Sequence, residues 1–358
     1  MIAASAAVQR PPDARLLVAD RGGAVNHWQR SELVRLFRAG DLVIANDAAT
    51  LPASLSGTHL PTGRQIEARL AGRDSLAPDR VKDFVAVLFG AGDFRMRTED
   101  RPLPPPVQPG DLLSLGPLRG TVTRSLNHPR LVTLAFDGSP REIWEGLARH
   151  GRPIQYSHMP TALAIWDTWT PLAGPPVAFE PPSSGFVLDW NALASMHSGR
   201  IRFATITHAA GISSTGDPAL DALLPFDEPY RIPISTAVAI GQARSQGRRI
   251  IAVGTTVVRA LEHAAGLEGI VRAGEGIATQ RIGASSRLRI TDAIVSGTHE
   301  PGTSHYELLR AFADDDLLGR MDDELDAHAY RTHEFGDSVF LERTESKAGS
   351  AERRFAAA

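Results

Sequence analysis

The sequence predicts an α/β fold: a mostly parallel sheet with flanking helices, plus an inserted small antiparallel β-barrel. In most of the chain, short apolar runs alternate with helical patterns, which is typical of a parallel sheet. From about residue 58 to residue 153, short alternating runs are instead separated by Gly, Pro and Asp turns. We therefore predict a discontinuous α/β domain over 1–57 and 154–345, a barrel domain over 58–153, and a disordered tail over 346–358.

The individual elements follow from periodicity and end signals. The first part predicts a strand over 14–20, a helix over 31–38 beginning at Ser31, and a strand over 41–45. Barrel strands are predicted over 65–70, 84–88, 111–115, 121–124 and 131–136, followed by a helix over 140–150. Helices capped by Asp189 and Ser235 flank a strand over 200–207. The last elements are strands over 250–253, 288–295 and 338–341 and helices after residue 254, over 304–313 and over 322–330.

Composition bounds the class of protein. The 358 residues are 42% hydrophobic and 22% charged, which is ordinary for a globular protein. The chain has no cysteine, which excludes disulfides and Cys-ligated zinc and fits a reducing, cytoplasmic location. No apolar run approaches the ~20 residues that span a bilayer. The net charge of -3 argues against nucleic-acid binding through bulk charge alone.

Polar residues follow the predicted strands. Each of them alone is typical of a cap or a turn, but on alternate α/β connections they would converge on one crevice. These residues are Asn46, Asp47, His208, Gly254, Thr255, Thr256, His299, Ser304, Gly336 and Asp337.

The most informative of these is the Gly254-Thr255-Thr256 turn between a strand and a helix. Free backbone N–H groups and the helix dipole at such a turn attract a carboxylate or a phosphate. Arg259 and Glu262 lie one helical turn apart and would add one charge of each sign. The alternative is a plain strand–helix corner with Thr256 as N-cap.

Several common motifs are absent from the sequence. It has no phosphate-binding P-loop, no G-x-G-x-x-G turn, no G-x-S-x-G elbow and no H-E-x-x-H helix. The histidines show no metal-ligand spacing, so no metal is predicted.

At these positions the chain resembles the S-adenosylmethionine:tRNA ribosyltransferase-isomerase family of queuosine biosynthesis. The stretch from Gly40 through Asn46-Asp47 to Ala53 looks like the motif G-D-L-L-V-x-N-D-[ST]-x-V-x-P-A, and 252–262 is similar to A-V-G-T-T-x-x-R-x-L-E. Thr207-His208, the stretch from Asp292 to Ala313, and Tyr330-Arg331 with Gly336-Asp337 resemble further motifs in the same order. The resemblance covers most of the chain and implies the same fold.

The resemblance also implies a reaction. S-Adenosylmethionine, as co-substrate, supplies its ribosyl group to a 7-aminomethyl-7-deazaguanine in tRNA, giving epoxyqueuosine and releasing adenine and methionine. Such a site needs a general base, and His208 and His299 are the first choices because histidine titrates near neutrality. Glu262 and Asp337 are the next candidates. Substrate contacts are expected from Asn46, Asp47, Gly254, Thr255, Thr256, Arg259, Ser304 and Gly336, in a protein that is monomeric rather than oligomeric.

The sequence also departs from the family's motifs. Val187 stands where P-T-A-G-L-H-F has its histidine, and the T-L-H-V-G-x-G-T-F stretch is degraded after His208. These losses leave two alternatives open: an S-adenosylmethionine-dependent enzyme of the same family that acts on a different, small acceptor, and a non-enzymatic nucleoside or RNA binder.

Overall fold

A computed structural model describes residues 1–345, and the predicted tail over 346–358 lies outside the described residues. The strands are β1 Ile2–Ala3, β2 Arg15–Ala19, β3 Val25–Gln29, β4 Leu42–Asn46, β5 Ala49–Thr50, β6 Ser54–His59, β7 Arg64–Gly72, β8 Asp83–Phe89, β9 Leu112–Leu115, β10 Leu118–Ser125, β11 Leu131–Phe136, β12 Pro176–Ala178, β13 Arg202–His208, β14 Glu228–Ile232, β15 Ile250–Val253, β16 Gly274–Ala278, β17 Ala293–Gly297, β18 Arg331–Thr332 and β19 Ser338–Glu342. The α-helices are α1 Pro140–His150, α2 Trp190–Ser198, α3 Pro218–Asp221, α4 Ile234–Ser245, α5 Thr255–Ala265, α6 Ser304–Leu309 and α7 Asp315–Ala327. Short 3₁₀ helices cover Arg30–Leu36, Thr98–Asp100, Ile165–Thr168 and Ser183–Val187.

A nine-stranded sheet forms the α/β part, in the order β16-β14-β13-β4-β15-β17-β19-β2-β3. The four central strands β13, β4, β15 and β17 run parallel to one another, whereas the flanking strands β14 and β19 run antiparallel to them. Side chains alternate between two apolar layers: Leu42 and Ile44 pack with α4, α5 and α7, whereas Val43 and Ala45 pack with α2 and the first 3₁₀ helix. Helices therefore cover both faces of the sheet, which confirms the predicted fold class.

The six strands β6 to β11 close into an antiparallel barrel in the order β10-β11-β8-β7-β6-β9. Its apolar interior, which includes Leu70, Phe84 and Leu134, belongs to one cluster with Phe179 and Ala209 of the α/β part. The barrel consequently packs beside the carboxyl ends of the parallel strands. The barrel begins with β6 at Ser54, a strand that the sequence analysis missed; the domain boundaries themselves stay a prediction.

Several predicted elements were wrong in extent or type. The helix predicted over 31–38 is a 3₁₀ helix that begins at Arg30, and the helix predicted to be capped by Ser235 has Pro233 at its N-cap. The helix predicted over 322–330 begins seven residues earlier, because the side chain of Asp314 accepts a hydrogen bond from the N–H of Leu317. The edge strands β3 and β16, and β14 next to β16, were missed.

The strand predicted over 288–295 begins only at Ala293, and the reason lies in the hydrogen bonds of its first half. The backbone N–H groups of Arg289, Ile290 and Thr291 donate to the carboxylate of Glu262 at 2.7, 3.0 and 2.9 Å. They are therefore not available to a neighbouring strand. Among the helices of residues 1–345, none has the length and apolar character that crossing a lipid bilayer requires.

Candidate active site

A cavity of about 500 Å³ opens at the carboxyl ends of β15 and β17, between the sheet and the barrel. The barrel contributes residues 97–99, which precede and begin a 3₁₀ helix in the connection from β8 to β9. Four residues predicted from the sequence line this cavity: Gly254, Thr255, Thr256 and His299. Ligands of open α/β sheets bind at this edge, so the cavity is the candidate active site.

The first turn of α5 forms one wall of the cavity. Its N-cap is Gly254 rather than Thr256, with φ of 100° and no side chain to accept a hydrogen bond from the helix. The backbone N–H groups at a helix start have no partner within the helix, and the helix dipole makes this end positive. Because Thr255 and Thr256 border the cavity, this turn offers a place for a ligand carboxylate.

Histidine rings form a second wall. His299 stacks on His305 with ring centroids 4.7 Å apart, and His158 stacks on His333 at 4.0 Å. Burial lowers the pKa of His299 well below its ordinary value, and burial also lowers the pKa values of His305 and His333. The Glu334 carboxylate lies 3.2 Å from His158 Nε2. At neutral pH the rings of His299, His305 and His333 are therefore uncharged, and together with the Glu334 carboxylate they suit a flat ligand that carries a positive charge.

His333 itself has an unusual backbone. Its φ of 68° lies in the left-handed region, which only a few per cent of side-chain-bearing residues adopt, histidine more often than most. Strain of this kind costs about 1–3 kcal/mol and is concentrated at functional sites. The conformation holds the His333 ring against His158 at the cavity wall.

A buried carboxyl group, Glu180, completes the lining. It accepts hydrogen bonds from the Tyr156 hydroxyl and, at 3.1 Å, from the N–H of Ser213. Burial raises its pKa from 4.5 to about 7, and the charge of Glu334 contributes in the same direction. The Tyr156 oxygen also lies 3.1 Å from the carbonyl of Ser214, so Tyr156 can donate there and accept from a protonated Glu180. Glu180 can thus take up and release a proton near neutral pH.

His208 does not line the cavity. Its ring is fully buried, and its Nε2 lies 3.3 Å from Glu228 Oε2. Burial and the nearby charge of Arg259 lower its pKa to about 3, so the ring is neutral. Asn46 accepts a hydrogen bond from the N–H of His208 and donates one to its carbonyl, both at 2.9 Å. These two residues hold the ends of β4 and β13 together.

The oxygen atoms of Asp47 also accept hydrogen bonds from within the protein. Its carboxylate accepts hydrogen bonds from the hydroxyls of Thr205 at 2.9 Å and Thr207 at 2.7 Å. Its backbone carbonyl accepts one from the N–H of Gly174 at 2.7 Å. Asp47 therefore links β13 and the loop that contains Gly174 to the end of β4.

Arg259 and Ser304 border a side cavity of about 50 Å³ that shares Thr255 and Thr256 with the main one. The Arg259 guanidinium is 4% exposed and engaged on all sides. It pairs with Glu228 and donates to the carbonyls of Phe226, Ala278 and Gln280 at 2.7, 2.8 and 3.0 Å. These contacts indicate that Arg259 links β14 and β16 to α5 rather than binding the carboxylate of a ligand.

Glu262, Gly336 and Asp337 lie away from the cavity lining. Glu262 binds the loop before β17, as described above. Asp337 accepts hydrogen bonds from the N–H groups of Arg15 and Arg331, both at 2.8 Å, and from their guanidinium groups. A side chain at Gly336 would meet the Arg331 carbonyl at 2.4 Å, so the turn requires glycine. Their arrangement fits structural roles for these three residues.

The sequence analysis missed most of the polar cavity lining. Tyr156, His158 and Glu180 come from a stretch between the barrel and α2 that has little regular structure and hence no periodic signal. His305 follows Ser304 directly, and the pair His333-Glu334 lies three residues before Asp337. His305, His333 and Glu334 could thus have been found in the sequence only because they lie close to residues that were already predicted for the site.

Comparisons with known proteins assign the chain to a family. The profile of a family described as "Queuosine biosynthesis protein" matches residues 1–341. The chain belongs to this family. Among curated relatives, an S-adenosylmethionine:tRNA ribosyltransferase-isomerase of Thiobacillus denitrificans is 30% identical over 94% of this chain and 93% of the relative. A protein of the same name from Sorangium cellulosum is 32% identical over 93% of this chain and 94% of the relative.

A solved structure shows the family fold as well. The S-adenosylmethionine tRNA ribosyltransferase of Thermotoga maritima superposes with a TM-score of 0.50 at 22% identity, over 95% of each chain. At this identity the likeness concerns the fold alone. The family assignment predicted from the motifs is confirmed; the roles of the individual site residues stay predictions.

Proposed function

We propose that the protein is an S-adenosylmethionine:tRNA ribosyltransferase-isomerase. It transfers and isomerises the ribosyl group of S-adenosylmethionine onto a 7-aminomethyl-7-deazaguanine in tRNA, releasing adenine and methionine. The observation that carries the proposal is the cavity in which a helix start without a side-chain cap faces three neutral histidines and a carboxylate. That arrangement matches a donor with a carboxylate at one end, a sulfonium centre and a flat base.

The donor's methionine carboxylate is proposed to bind at the N–H groups of Thr255 and Thr256. A carboxylate accepting charge-assisted hydrogen bonds at a helix start gains from both the N–H groups and the dipole. Gly254 allows the close approach because it has no side chain and adopts a positive φ. The predicted role of Arg259 becomes indirect, since it holds the segments around this turn.

The sulfonium centre and adenine are proposed to lie along the histidine wall. Burial raises the pKa of Glu334, but hydrogen bonding, chiefly with His158, and nearby positive charge together lower it overall, so Glu334 is ionised at neutral pH. Its negative charge attracts the sulfonium. The pKa values of His299, His305 and His333 are lowered, so these rings do not oppose a cation. Their stacked faces suit the departing adenine.

Glu180 is proposed as the general base that removes a C5′ proton beside the sulfonium. A base works best when its pKa is near the working pH, and burial raises the pKa of Glu180 to about 7. His299, the base predicted from the sequence, lines the same cavity, but its lowered pKa makes it a weaker proton acceptor. His299 accordingly stays the second candidate for the same role.

Incubation of the protein with S-adenosylmethionine and tRNA bearing the deazaguanine base tests the proposal. We expect adenine and methionine to appear in equal amounts, and the tRNA to gain the ribosyl-derived group. tRNA lacking the aminomethyl group is the matched control, because it retains every phosphate contact. No adenine from the modified tRNA would refute the proposal.

A second function rests on a specific departure from the family. Val187, which replaces a motif histidine, packs in the apolar layer of α2 at the end of the 3₁₀ helix Ser183–Val187, whose residues Ser183 and Ser184 line the cavity. The motif position after Ser183 and Ser184 thus carries an apolar side chain instead of a histidine, and this departure is the reason to consider a smaller acceptor. Adenine release with a free aminomethyl-deazaguanine but not with tRNA would select this function. A non-enzymatic binder would release adenine with neither. A cytoplasmic location, a monomeric state and a metal-free reaction stay predictions.

A further inference from the structure

Three potential metal ligands meet on the surface of the α/β part, among residues outside the cavity lining. His27 comes from β3, and Glu324 and His328 come from the last turn and the end of α7. Each residue offers one ligand atom that lies within 4.8 Å of the other two. We propose that these three side chains bind a divalent transition-metal ion of the Zn²⁺ class.

Two of the three distances between ligand atoms match tetrahedral coordination, and the third lies within 4.8 Å. His27 Nε2 lies 3.1 Å from Glu324 Oε2, and His328 Nδ1 lies 3.2 Å from the same oxygen. Ligand atoms about 2.0–2.1 Å from a tetrahedral zinc ion are separated by about 3.3 Å. A bound ion would replace the contact of His328 Nδ1 with the Glu324 carbonyl, now 3.0 Å. Two histidines and one carboxylate, with water in the fourth position, form a donor set typical of zinc.

A neighbouring side chain already orients one ligand. The Nδ1 of His27 lies 2.8 Å from the hydroxyl of the buried Tyr330. When Nδ1–H donates to this hydroxyl, Nε2 carries the lone pair that faces Glu324. A hydrogen bond of this kind on the far nitrogen is the usual support of a metal-binding histidine.

The surrounding charges favour a cation. The site lies at the C-terminal end of α7, where the helix dipole is negative, and Asp322, Asp323 and Asp326 lie on the same helix. Two positive charges oppose a bound cation: Arg15 contacts the Tyr330 ring and the His328 carbonyl, and the Met1 ammonium pairs with Asp326. The Arg15 guanidinium is already paired with Asp337. The bound ion would therefore clamp β3 to α7, independently of the proposed reaction.

Isothermal titration of the full, untagged chain with Zn²⁺ tests this site, with Co²⁺ as a spectroscopic probe of tetrahedral geometry. We expect one equivalent to bind, with the visible absorption of tetrahedral cobalt. His328→Ala and Glu324→Gln should each weaken binding at least about tenfold, and Tyr330→Phe about tenfold. His27→Gln repeats the test if His328→Ala does not fold.

His197→Ala is the matched control, because His197 is an exposed histidine at the end of another helix, α2. It should leave the affinity and the cobalt spectrum unchanged. The proposal is overturned if no ion binds, if the ligand variants bind as the unmodified chain does, or if His197→Ala weakens binding as much as they do.

Discussion

Replacing Glu180 with Gln should make the protein more stable at alkaline pH. The pKa of Glu180 in the folded protein is raised by burial from 4.5 to about 7. Its protonated form is therefore the favoured one, and the associated stability, fully present below pH 4.5, is lost as the pH rises to 7. The difference of about 2.5 pKa units corresponds to about 3 kcal/mol at pH 8 and less than ~1 kcal/mol at pH 5.

Glutamine retains the shape and the hydrogen-bonding capacity of the protonated carboxyl, so Glu180→Gln escapes this loss. Unfolding followed at pH 8 should show a gain of about 3 kcal/mol, which is about 4 °C in Tm for a chain of this length. At pH 5 the gain should nearly vanish. Ribosyl transfer should meanwhile fall about 10²-fold or more, and the acid limb near pH 7 in kcat/KM should disappear.

Glu334→Gln provides the matched control within the same cavity. Burial raises the pKa of Glu334, but hydrogen bonds and nearby positive charge, chiefly from His158, together lower it overall. Its contribution to stability is present above pH 4.5 and is lost as the pH falls. Glutamine at this position should therefore destabilise the protein at pH 8. Equal stability changes for Glu180→Gln at pH 5 and pH 8, or an unchanged pH profile of activity, would refute the reasoning.

Three further substitutions separate structural from substrate-binding roles. Arg259→Ala removes the charged partner of the buried Glu228, so urea unfolding should show a free energy of unfolding that is lower by about 3–5 kcal/mol. A lower affinity for the donor with unchanged stability would instead show that Arg259 binds the donor. Gly254→Ala should lower the free energy of unfolding by about 1–3 kcal/mol, because Gly254 has a φ of 100°, and should weaken donor binding in titrations. The control Gly241→Ala, in the open middle of α4, should instead raise the free energy of unfolding by up to ~1 kcal/mol. Glu262→Gln should lower stability by about 1–3 kcal/mol with little effect on turnover of the folded enzyme; the reverse pattern would restore its predicted role as a base.

The fold could be predicted where local signals agree with tertiary structure. The strand β15 and helix α5 were predicted because a buried parallel strand is a continuous apolar run and an amphipathic helix has a clear period. The strand β14 lacks such a signal, since Pro229 interrupts it. The strand expected from Leu288 fails for a non-local reason: the carboxylate that captures its N–H groups belongs to a residue far back in the chain.

The site could be predicted only in part, because the position of a residue in the sequence does not show whether its side chain lines the cavity or is buried between structural elements. Thr256 and His208 both follow parallel strands and both match family motifs. Thr256 borders the cavity, whereas His208 is enclosed by Asn46 and Glu228. Glu180 shows the converse, since its significance depends on burial next to Tyr156, which no spacing encodes.

The opposite shifts of Glu180 and Glu334 connect donor binding to the proton that must be removed. Two carboxyl groups whose environments drive their pKa values apart mark an acid–base assignment. The charge of Glu334 helps to keep Glu180 protonated. A sulfonium entering the cavity opposes that effect: at about 6 Å and an effective dielectric constant near 20 it contributes about 3 kcal/mol, or about two pKa units.

Donor binding should therefore ionise Glu180 and so create the base only when the substrate is present. Near pH 7 we expect the release of about half a proton for each S-adenosylmethionine bound, since a group with a pKa of about 7 is then half protonated before binding. Titration calorimetry in buffers of different ionisation enthalpy measures this release. S-Adenosylhomocysteine, which has the same shape without the sulfonium charge, should release much less, and Glu180→Gln should abolish the difference between the two ligands. If both ligands release the same number of protons from the unmodified protein, the sulfonium charge does not ionise Glu180, and the proposed activation of this base is wrong.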